Sequence, residues 1–448
     1  MPQVIPLERA VSNLCTALQF KTIAAPAGKS QSYAPFDDFI LFLARAYPLC
    51  HQRLEHTRIN NYGLVYRFKG KNREAAPLLF LAHYDLLHPA SHQDELWAYP
   101  PFEGKTAGGF IYGRGALSAK AQLIALLETL EALLASDQQP ERDVYLAFGF
   151  DAAEGGGLGA ARIASFFKSQ RLHFECILDG GSACIDGLLP QLKRPVALVG
   201  TCEKGLADLR LTLSQGEGST AISSADNAIY ALARVLSALQ ASPMPARFTP
   251  PVREFFKRVA PDITGSKRRL YDHFELFKPS LTKALSAHPL TNALIRTTIA
   301  PTLLTGSPAA QFFPNQASVV LRCHLLSADS IEDVIAHIQK TASKEPISFD
   351  VLNLQKAPRP SATDTLAYRH LAACASVVFP QVQTAPTITA VPTDARHYEA
   401  LSEHIYRFTP IRLTPEDLDS LWGINEKISF ENLHNAIAFY TMFILNYQ

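Results

Sequence analysis

The sequence predicts a two-domain α/β protein, and three observations support this prediction. The chain has 448 residues, more than the roughly 250–300 residues that one hydrophobic core usually serves. Apolar, β-rich runs alternate with a helical pattern in its first half, as expected of a mostly parallel sheet covered on both faces. From about Leu206 the pattern changes to a smaller strand–helix unit, which indicates a second domain.

The larger domain is predicted from strand-like runs around one long helix. The runs are residues 76–87, 142–154, 174–181 and 195–205. Residues 118–136 carry apolar side chains at helical period, and Ser118 stands where a serine commonly caps a helix N-terminus.

Strands and helices alternate in the smaller unit once a helical, basic and aromatic stretch at residues 251–300 is set aside. We interpret it as a small βαββαβ unit inserted within the larger domain. It precedes PRPSATD (358–364), which resembles a linker. The predicted domains are therefore residues 1–205 and 358–448 for the two parts of the large domain and 206–357 for the inserted unit.

Composition excludes several classes of function. The net charge is +1 and no long run of like charge occurs, so neither a nucleic-acid footprint nor a basic membrane-surface patch is expected. The N-terminus lacks the pattern of a signal peptide, and no apolar run reaches the roughly eighteen residues of a membrane span. The seven cysteines are scattered, which favours free buried thiols in a reducing compartment and a cytoplasmic protein.

Five motifs carry a resemblance to a known enzyme family. They are LAHYDLLHPA around His83 and Asp85, WAYPPFEGKTAGGFIYGRGALSAK (97–120), GFDAAEGGGLGA (149–160), ILDGG (177–181) and TDARHY (393–398). In this order and spacing they resemble the co-catalytic zinc peptidases of the aminoacylase, glutamate carboxypeptidase and carboxypeptidase S type. EKG (203–205), NALIRTTIAPTLLTG (292–306), IYRFTPI (405–411) and GINEKIS (423–429) most resemble the carboxypeptidase S branch.

The resemblance implies a catalytic α/β domain with an inserted ferredoxin-like lid that commonly pairs two subunits. It also implies hydrolysis of N-acyl amino acids or small peptides by water held between two zinc ions. His83 and Asp179 match two of the five zinc ligands, and Asp85 matches the carboxylate that orients the histidine. Ser118 stands where the family has its bridging aspartate, and Trp422 where it has its last histidine ligand.

Further positions depart from the family. Ala152 replaces the glutamate that acts as general base and Ala153 replaces the next ligand, whereas Glu154 follows one place later. Neither a methyl group nor an indole N–H can bind zinc, and a methyl group cannot accept a proton. Glu154 could substitute only if the strand end slipped register.

The lid departs from the family as well. The family's GHSS segment aligns with residues 216–219, which places Glu217 where a histidine reaches the substrate, and Gln311 replaces an asparagine. Arg396 in TDARHY matches the residue that grips the substrate carboxylate.

Several residues allow two interpretations. His83 and Asp85 form either a hydrogen-bonded core pair or part of a site, and Ser118 is either a helix cap or the nucleophile of a Ser118–His83–Asp85 arrangement. For Arg396 the alternatives are an ion pair with Asp394 or Asp179, or a retained carboxylate-binding role.

Asp179 and Trp422 carry two further structural expectations. A buried Asp179 should find a hydrogen-bond donor or be protonated. Trp422 is expected to fill the volume that a ligand and metal occupy in relatives.

The sequence therefore predicts a catalytically inactive homologue, a pseudoenzyme, with a binding or regulatory role. The alternative is a divergent hydrolase of N-acyl amino acids or small peptides that uses one metal ion or Ser118. No stoichiometric pair of zinc ions is expected, although one weakly held zinc at His83 and Asp179 is compatible with the sequence. The expected partners are a second copy of the chain through the lid and a small carboxylate or N-acyl amino acid, with no nucleic acid and no membrane.

Overall fold

The computed structural model describes residues 7–25, 29–87, 96–189, 192, 194–216, 220, 226–263, 268–342, 345–421 and 423–448. The strands are β1 (Glu55–Ile59), β2 (Gly63–Phe68), β3 (Leu78–His83), β4 (Lys105–Ala107), β5 (Phe110–Tyr112), β6 (Val144–Gly149), β7 (Cys176–Ile185), β8 (Val196–Glu203), β9 (Gly205–Ser214), β10 (Thr298–Thr305), β11 (Gln316–Leu325), β12 (Ile347–Gln355), β13 (Gln383–Thr389), β14 (Ile405–Leu413) and β15 (Lys427–Ser429).

The helices surround two of the three sheets that these strands form. They are α1 (Leu7–Gln19), α2 (Ala34–Ala46), α3 (Pro48–Arg53), α4 (Lys120–Ala135), α5 (Ala160–Ser169), α6 (Ala228–Ala241), α7 (Pro250–Val259), α8 (Arg268–Asp272), α9 (Lys278–Ser286), α10 (Pro289–Ile295), α11 (Ile331–Thr341), α12 (Leu366–Val378), α13 (Pro415–Ser420) and α14 (Phe430–Asn446). Short 3-10 helices lie at Ala152–Glu154, Ala260–Asp262 and Asp394–Leu401.

The large sheet has eight strands in the order β1-β2-β6-β3-β7-β14-β8-β13. Its four central strands, β6, β3, β7 and β14, are parallel. β2 is antiparallel to β6, and β8 is antiparallel to β14. The predicted mostly parallel sheet is therefore correct for the centre, and the whole sheet is mixed.

Apolar packing explains why the central strands contain so few polar residues. Every residue of β6 is buried, as are all but the last residue of β3, which is typical of strands covered on both faces. α4 lies against β3 and packs between α1, α3 and α14, with most of its side chains buried. None of the helices in the described ranges combines the length and apolar character needed to cross a membrane.

The inserted unit is a ferredoxin-like lid. Its antiparallel sheet has the order β10-β11-β9-β12, and α6 and α11 pack on one face of it. Buried and exposed side chains alternate along β9 and β11, as expected when one face of a sheet meets a core and the other meets solvent. The predicted fold class, an α/β domain with an inserted ferredoxin-like lid, is confirmed.

The helical stretch within the lid sequence packs elsewhere. α7, α8, α9 and α10 contribute Val252, Phe255, Tyr271, Leu281 and Ile295 to the hydrophobic core of the large sheet, and α7 lies against β13. These four helices therefore share a core with the large domain.

Two local predictions were wrong. Residues 298–300 were predicted as helical, but β10 begins at Thr298, because the β-branched Thr298 and Ile299 pair with β11. Ser118 does not cap α4, which begins at Lys120 without a side-chain cap. The Ser118 N–H instead donates to Glu426.

The cysteine prediction is confirmed in part. All seven cysteines are free thiols, and six of them are buried, with Cys15 half-buried.

Candidate functional site

His83 and Asp85 form an oriented pair at the end of β3. His83 Nδ1 lies 3.1 Å from Asp85 Oδ1, and Asp85 Oδ2 accepts a hydrogen bond from the Ala153 N–H at 2.8 Å. Desolvation disfavours the imidazolium, yet the adjacent Asp85 carboxylate overcomes it and raises the pKa of His83 to about 9. Both Asp85 oxygens are thus engaged by protein groups, and the imidazole retains 32% exposure.

Asp179 lies on β7 with its carboxylate occupied by backbone donors. Oδ1 accepts from the Gly180 N–H at 2.7 Å, and Oδ2 accepts from the Ala395 N–H at 2.9 Å. Burial raises the pKa of Asp179, which these hydrogen bonds partly oppose. The predicted need for a donor is therefore met by two N–H groups.

The segment after β6 carries Ala152 and Ala153 and contacts the His83–Asp85 pair through the Ala153 N–H. Ala152 and Ala153 are half-buried in a 3-10 helix, and Glu154 at its end is exposed. Gly155 follows with φ of 100°, a left-handed conformation that glycine adopts readily. Asp151 accepts hydrogen bonds from N–H groups at the start of α5, which fixes where the segment ends.

Arg396 lies on the 3-10 helix Asp394–Leu401 and meets the segment after β6. Its Nη2 donates to the Gly155 carbonyl at 2.9 Å, and His397 Nε2 contacts the same oxygen at 2.9 Å. Within the described ranges Arg396 forms no ion pair, with either Asp394 or Asp179. The guanidinium is half-buried and keeps donors that no described acceptor uses.

Asp394 is the least satisfied group of the site. It is 7% exposed, and neither carboxylate oxygen has a hydrogen-bond partner among the described residues. A β carbon on Gly149 or Gly156 would lie 2.5 Å from one of these oxygens, so a larger residue at either position would displace the carboxyl group. Burial raises the pKa of Asp394 to about 8.

A buried ion pair positions the loop that carries Arg396. Glu203 at the end of β8 and Arg407 on β14 are each 1% exposed, and Arg407 Nε donates to Glu203 Oε2 at 2.7 Å. The same oxygen accepts from the Thr393 hydroxyl at 2.7 Å and from the Thr393 N–H at 3.1 Å. The loop therefore starts from a fixed point on two strands.

Ser118 lies in a loop that Glu426 organises. The Glu426 carboxylate is 1% exposed and accepts from the N–H groups of Gly115, Leu117 and Ser118 over 2.7–3.0 Å. No hydrogen bond joins the Ser118 hydroxyl to His83 in the part of the chain that the structure describes. The predicted nucleophile–base contact is therefore not formed in this structure.

The three other predicted site positions are Gln311, Trp422 and Glu217. Gln311 is exposed on the loop between β10 and β11. Trp422 and Glu217 lie outside the described residues. Among the residues that are described, no three or more His, Cys, Asp or Glu side chains are grouped so that they could hold a metal ion.

Sequence reasoning missed the residues that position the site. Glu426 lies in GINEKIS, Glu203 in EKG and Arg407 in IYRFTPI, so each was inside a motif noted only for its resemblance. For Glu203 and Arg407 the available signal was a charge within an apolar strand-like run, since charged residues are rarely buried without a partner.

Comparisons with known proteins agree with the fold. Residues 79–446 match the family model described as "Peptidase family M20/M25/M40". "Probable carboxypeptidase S-like 2" of Dictyostelium discoideum is 33% identical over 438 residues, which cover 97% of this chain and 84% of that protein. "N-fatty-acyl-amino acid synthase/hydrolase PM20D1" of Mus musculus is 30% identical over 436 residues, covering 96% and 86%.

Solved structures share the whole architecture. The M20 family metallo-carboxypeptidase Sso-CP2 from Sulfolobus solfataricus superposes with a TM-score of 0.67 at 18% identity, over 98% of this chain and 99% of that one. Human carnosine dipeptidase 1 gives a TM-score of 0.69 at 12% identity, over 98% and 96%. With relatives above 30% identity over nearly its full length, the chain belongs to the M20/M25/M40 peptidase family.

Proposed function

We propose that this protein is a non-hydrolytic member of its family that binds N-acyl amino acids or related small carboxylates. Members of the M20 family normally bind zinc. The observation that carries the proposal is the set of side chains at the metal positions, where Ser118, Ala152 and Ala153 can supply neither a bridging carboxylate nor a general base.

The bonding of the remaining carboxylates supports the same conclusion. Asp179 uses both oxygens on backbone N–H groups, and Asp85 uses its oxygens on His83 and Ala153. A catalytic zinc ion normally has three protein ligands, and no such group occurs among the described residues. The residues present do not fit a two-zinc centre, so the proposal involves no metal-dependent step.

Arg396 supports the binding role. Its guanidinium is positioned by the Gly155 carbonyl and partly opposes the rise that burial causes in the pKa of the nearby Asp394, with which it forms no ion pair among the described contacts. A planar guanidinium that retains free donors suits a carboxylate, which it can contact with two parallel hydrogen bonds. The names of two relatives point to the same ligand class, because one is an N-fatty-acyl-amino acid synthase/hydrolase and another a carboxypeptidase-like protein.

Calorimetric titration tests the proposal directly. The purified protein is titrated with N-acetyl and N-fatty-acyl amino acids, with the corresponding N-acyl amino acid amides as controls. Binding that needs the free carboxylate supports the proposal. Equal binding of acids and amides, or no binding of either, contradicts it.

The second candidate is a hydrolase that uses one metal ion. It is favoured by Asp394, a buried carboxyl group near His83 and Asp179 that has no hydrogen-bond partner among the described residues, because a cation could satisfy such a group. Elemental analysis after dialysis distinguishes the two candidates. About one tightly held zinc ion per chain, with chelator-sensitive turnover, would favour this hydrolase over the binding protein.

We further propose that two copies of the chain associate through their lids. β10 is an edge strand of the lid sheet, and Leu303 and Leu304 on it are 67% and 59% exposed. Ile229 and Tyr230 on α6 are also exposed. An exposed edge with apolar side chains favours pairing with another strand. Light scattering should give the mass of a dimer, and Leu303→Asp should shift it to a monomer.

A further inference from the structure

The loop that carries Ser118 also contains a buried arginine, Arg114. Its side chain is 5% exposed, and its backbone N–H donates to the Pro101 carbonyl at 2.8 Å. A guanidinium presents five N–H donors in a planar fork and has no acceptor of its own. A buried arginine is therefore expected to meet acceptors from other groups, above all a carboxylate.

The described residues give this guanidinium no acceptor. Within the described ranges the Arg114 side chain forms neither a hydrogen bond nor an ion pair, and its Nε is buried without a partner. The Glu426 carboxylate lies nearby, but it accepts hydrogen bonds from the backbone of the same loop, at Gly115, Leu117 and Ser118. Its charge offsets part of the cost of burying a cation, whereas the donors of Arg114 stay unused by described acceptors.

Trp97 lies against Arg114 and has an unused donor of its own. Arg114 Cζ lies 5.2 Å from the centre of the Trp97 ring. The indole is 8% exposed, and its Nε1 is buried without a partner in the part of the chain that the structure describes. The ring face stabilises the cation, but an indole N–H can only donate. Two side chains in contact therefore have donors that neither can satisfy for the other.

Aromatic residues of the same two chain segments continue this cluster. Tyr99 follows Trp97 by two positions, Tyr112 precedes Arg114 by two, and the centres of the two tyrosine rings lie 5.0 Å apart. Both tyrosines are half-buried. Lys427 Nζ lies 5.8 Å from the centre of the Tyr112 ring. The cluster thus combines apolar rings with a second cation, which favours a ligand of negative charge.

We propose that Arg114 and Trp97 form a binding site for a small monovalent anion, either a carboxylate such as acetate or a halide such as chloride. The guanidinium supplies a charge and several donors, and the indole N–H supplies a neutral donor. The anion provides the acceptor that both side chains lack. Burial limits the size of the ligand, and the neighbouring Glu426 carboxylate disfavours an anion of higher charge. This site does not involve Arg396 and does not depend on the proposed function.

The fluorescence of Trp97 tests the site. The chain has two tryptophans, so Trp422→Phe leaves Trp97 as the only emitting indole. Acetate and chloride are titrated separately at a constant ionic strength set with sodium sulfate, with acetamide as the uncharged control. At least one anion should change the emission saturably, whereas acetamide should not. The anion with the lower dissociation constant shows which of the two classes the site prefers.

Variants in the same background locate the anion. Arg114→Met should abolish the saturable change, whereas Arg45→Met, at an exposed arginine of α2, should keep it. Arg396→Ala should keep it as well, because acetate bound by Arg396 would not need Arg114. A response that survives in Arg114→Met, or one that is lost in Arg396→Ala, would overturn the proposal.

Thermal denaturation of proteins that retain both tryptophans provides an independent measurement. Saturating acetate or chloride should raise the melting temperature of the wild type but not that of Arg114→Met. Trp97→Phe keeps a ring face without the N–H, so it should bind the anion roughly fivefold more weakly, as expected for one hydrogen bond. If neither anion gives a saturable response, or if Arg114→Met loses the same stability with and without the anion, Arg114 is satisfied by water or by the chain itself and the proposal is wrong.

Discussion

Arg396 donates from Nη2 to the carbonyl oxygen of Gly155 at 2.9 Å. This contact joins the segment after β6 to the 3-10 helix Asp394–Leu401. The Gly155 loop carries Ala152 and Ala153, whose methyl groups can neither accept a proton nor bind a metal ion, and the other loop carries the Arg396 guanidinium. In the proposed function Arg396 binds the ligand carboxylate, and no water is activated beside Ala152 and Ala153.

Arg396→Ala should weaken ligand binding. Loss of a hydrogen bond to a charged group costs about 1.5–3 kcal/mol, so affinity for an N-acyl amino acid should fall roughly ten- to hundredfold. Calorimetric titration measures the change, and Arg45→Ala at an exposed position of α2 is the matched control. Unchanged affinity in Arg396→Ala would exclude this residue as the carboxylate-binding group.

Glu203→Gln should destabilise the protein strongly. It leaves the buried Arg407 guanidinium without a carboxylate, and removing one partner of such a pair costs about 3–5 kcal/mol. Urea denaturation measures the free energy of unfolding. The double variant Glu203→Met with Arg407→Met should be less destabilised than Glu203→Gln, because no charge is left unpaired.

The matched control is an exposed ion pair. Arg53→Met, which breaks the exposed pair with Asp137, should cost at most about 1 kcal/mol. A similar cost for Glu203→Gln would mean that the buried pair does not stabilise the Arg396 loop.

Two adjacent glycines should respond differently to alanine. Gly156 has φ of 71°, and a β carbon there would lie 2.5 Å from Asp394 Oδ1. Gly156→Ala should therefore destabilise the fold by roughly 1–3 kcal/mol. Gly157 has no atom within 4 Å of an added β carbon, so Gly157→Ala should be nearly neutral in thermal unfolding. Equal losses in the two variants would be inconsistent with the packing of Asp394.

Lys204→Met should change how stability depends on pH. The pKa of Lys204 is about 7 in the folded protein and 10.5 as a reference, so between these values the unfolded chain binds more protons and wild-type stability rises with pH. Methionine does not titrate. The stability of Lys204→Met relative to the wild type should therefore be greatest near pH 7 and fall by up to about 1.4 kcal/mol per pH unit above it.

Urea denaturation between pH 6.5 and 9.5 measures this difference. The comparison of two variants cancels the contributions of His83 and Asp394, which titrate in the same range. A stability difference that does not vary with pH would show that burial does not lower the pKa of Lys204.

The local pattern of apolar residues predicted much of the fold. The runs that became β3, β6 and β8 and the start of β7 are mostly apolar, and the helical period of α4 is unbroken, so each was visible in the sequence. β10 was less visible, because an extended strand at residues 298–300 directly follows the short helix α10.

The site was predictable only where its residues are close in sequence. His83 and Asp85 are two positions apart, and their contact was expected from that spacing. Glu203 and Arg407 are separated by 204 positions, and Glu426 reaches Ser118 across 308. Such contacts depend on the order of strands in the sheet, which a single sequence does not specify. Ser118 does not cap α4 because the helix begins at Lys120, which places Ala119 at the N-cap position.

Release of free amino acid from a bound N-acyl amino acid tests the central claim most directly. The wild type is incubated with added zinc at ligand concentrations that saturate it in calorimetry, and product is measured against the His83→Ala variant. We expect the wild type to release no more free amino acid than His83→Ala does, because Ala152 and Ala153 cannot provide a general base or a metal ligand. Turnover that requires zinc, stops with chelator and is lost in His83→Ala would contradict it.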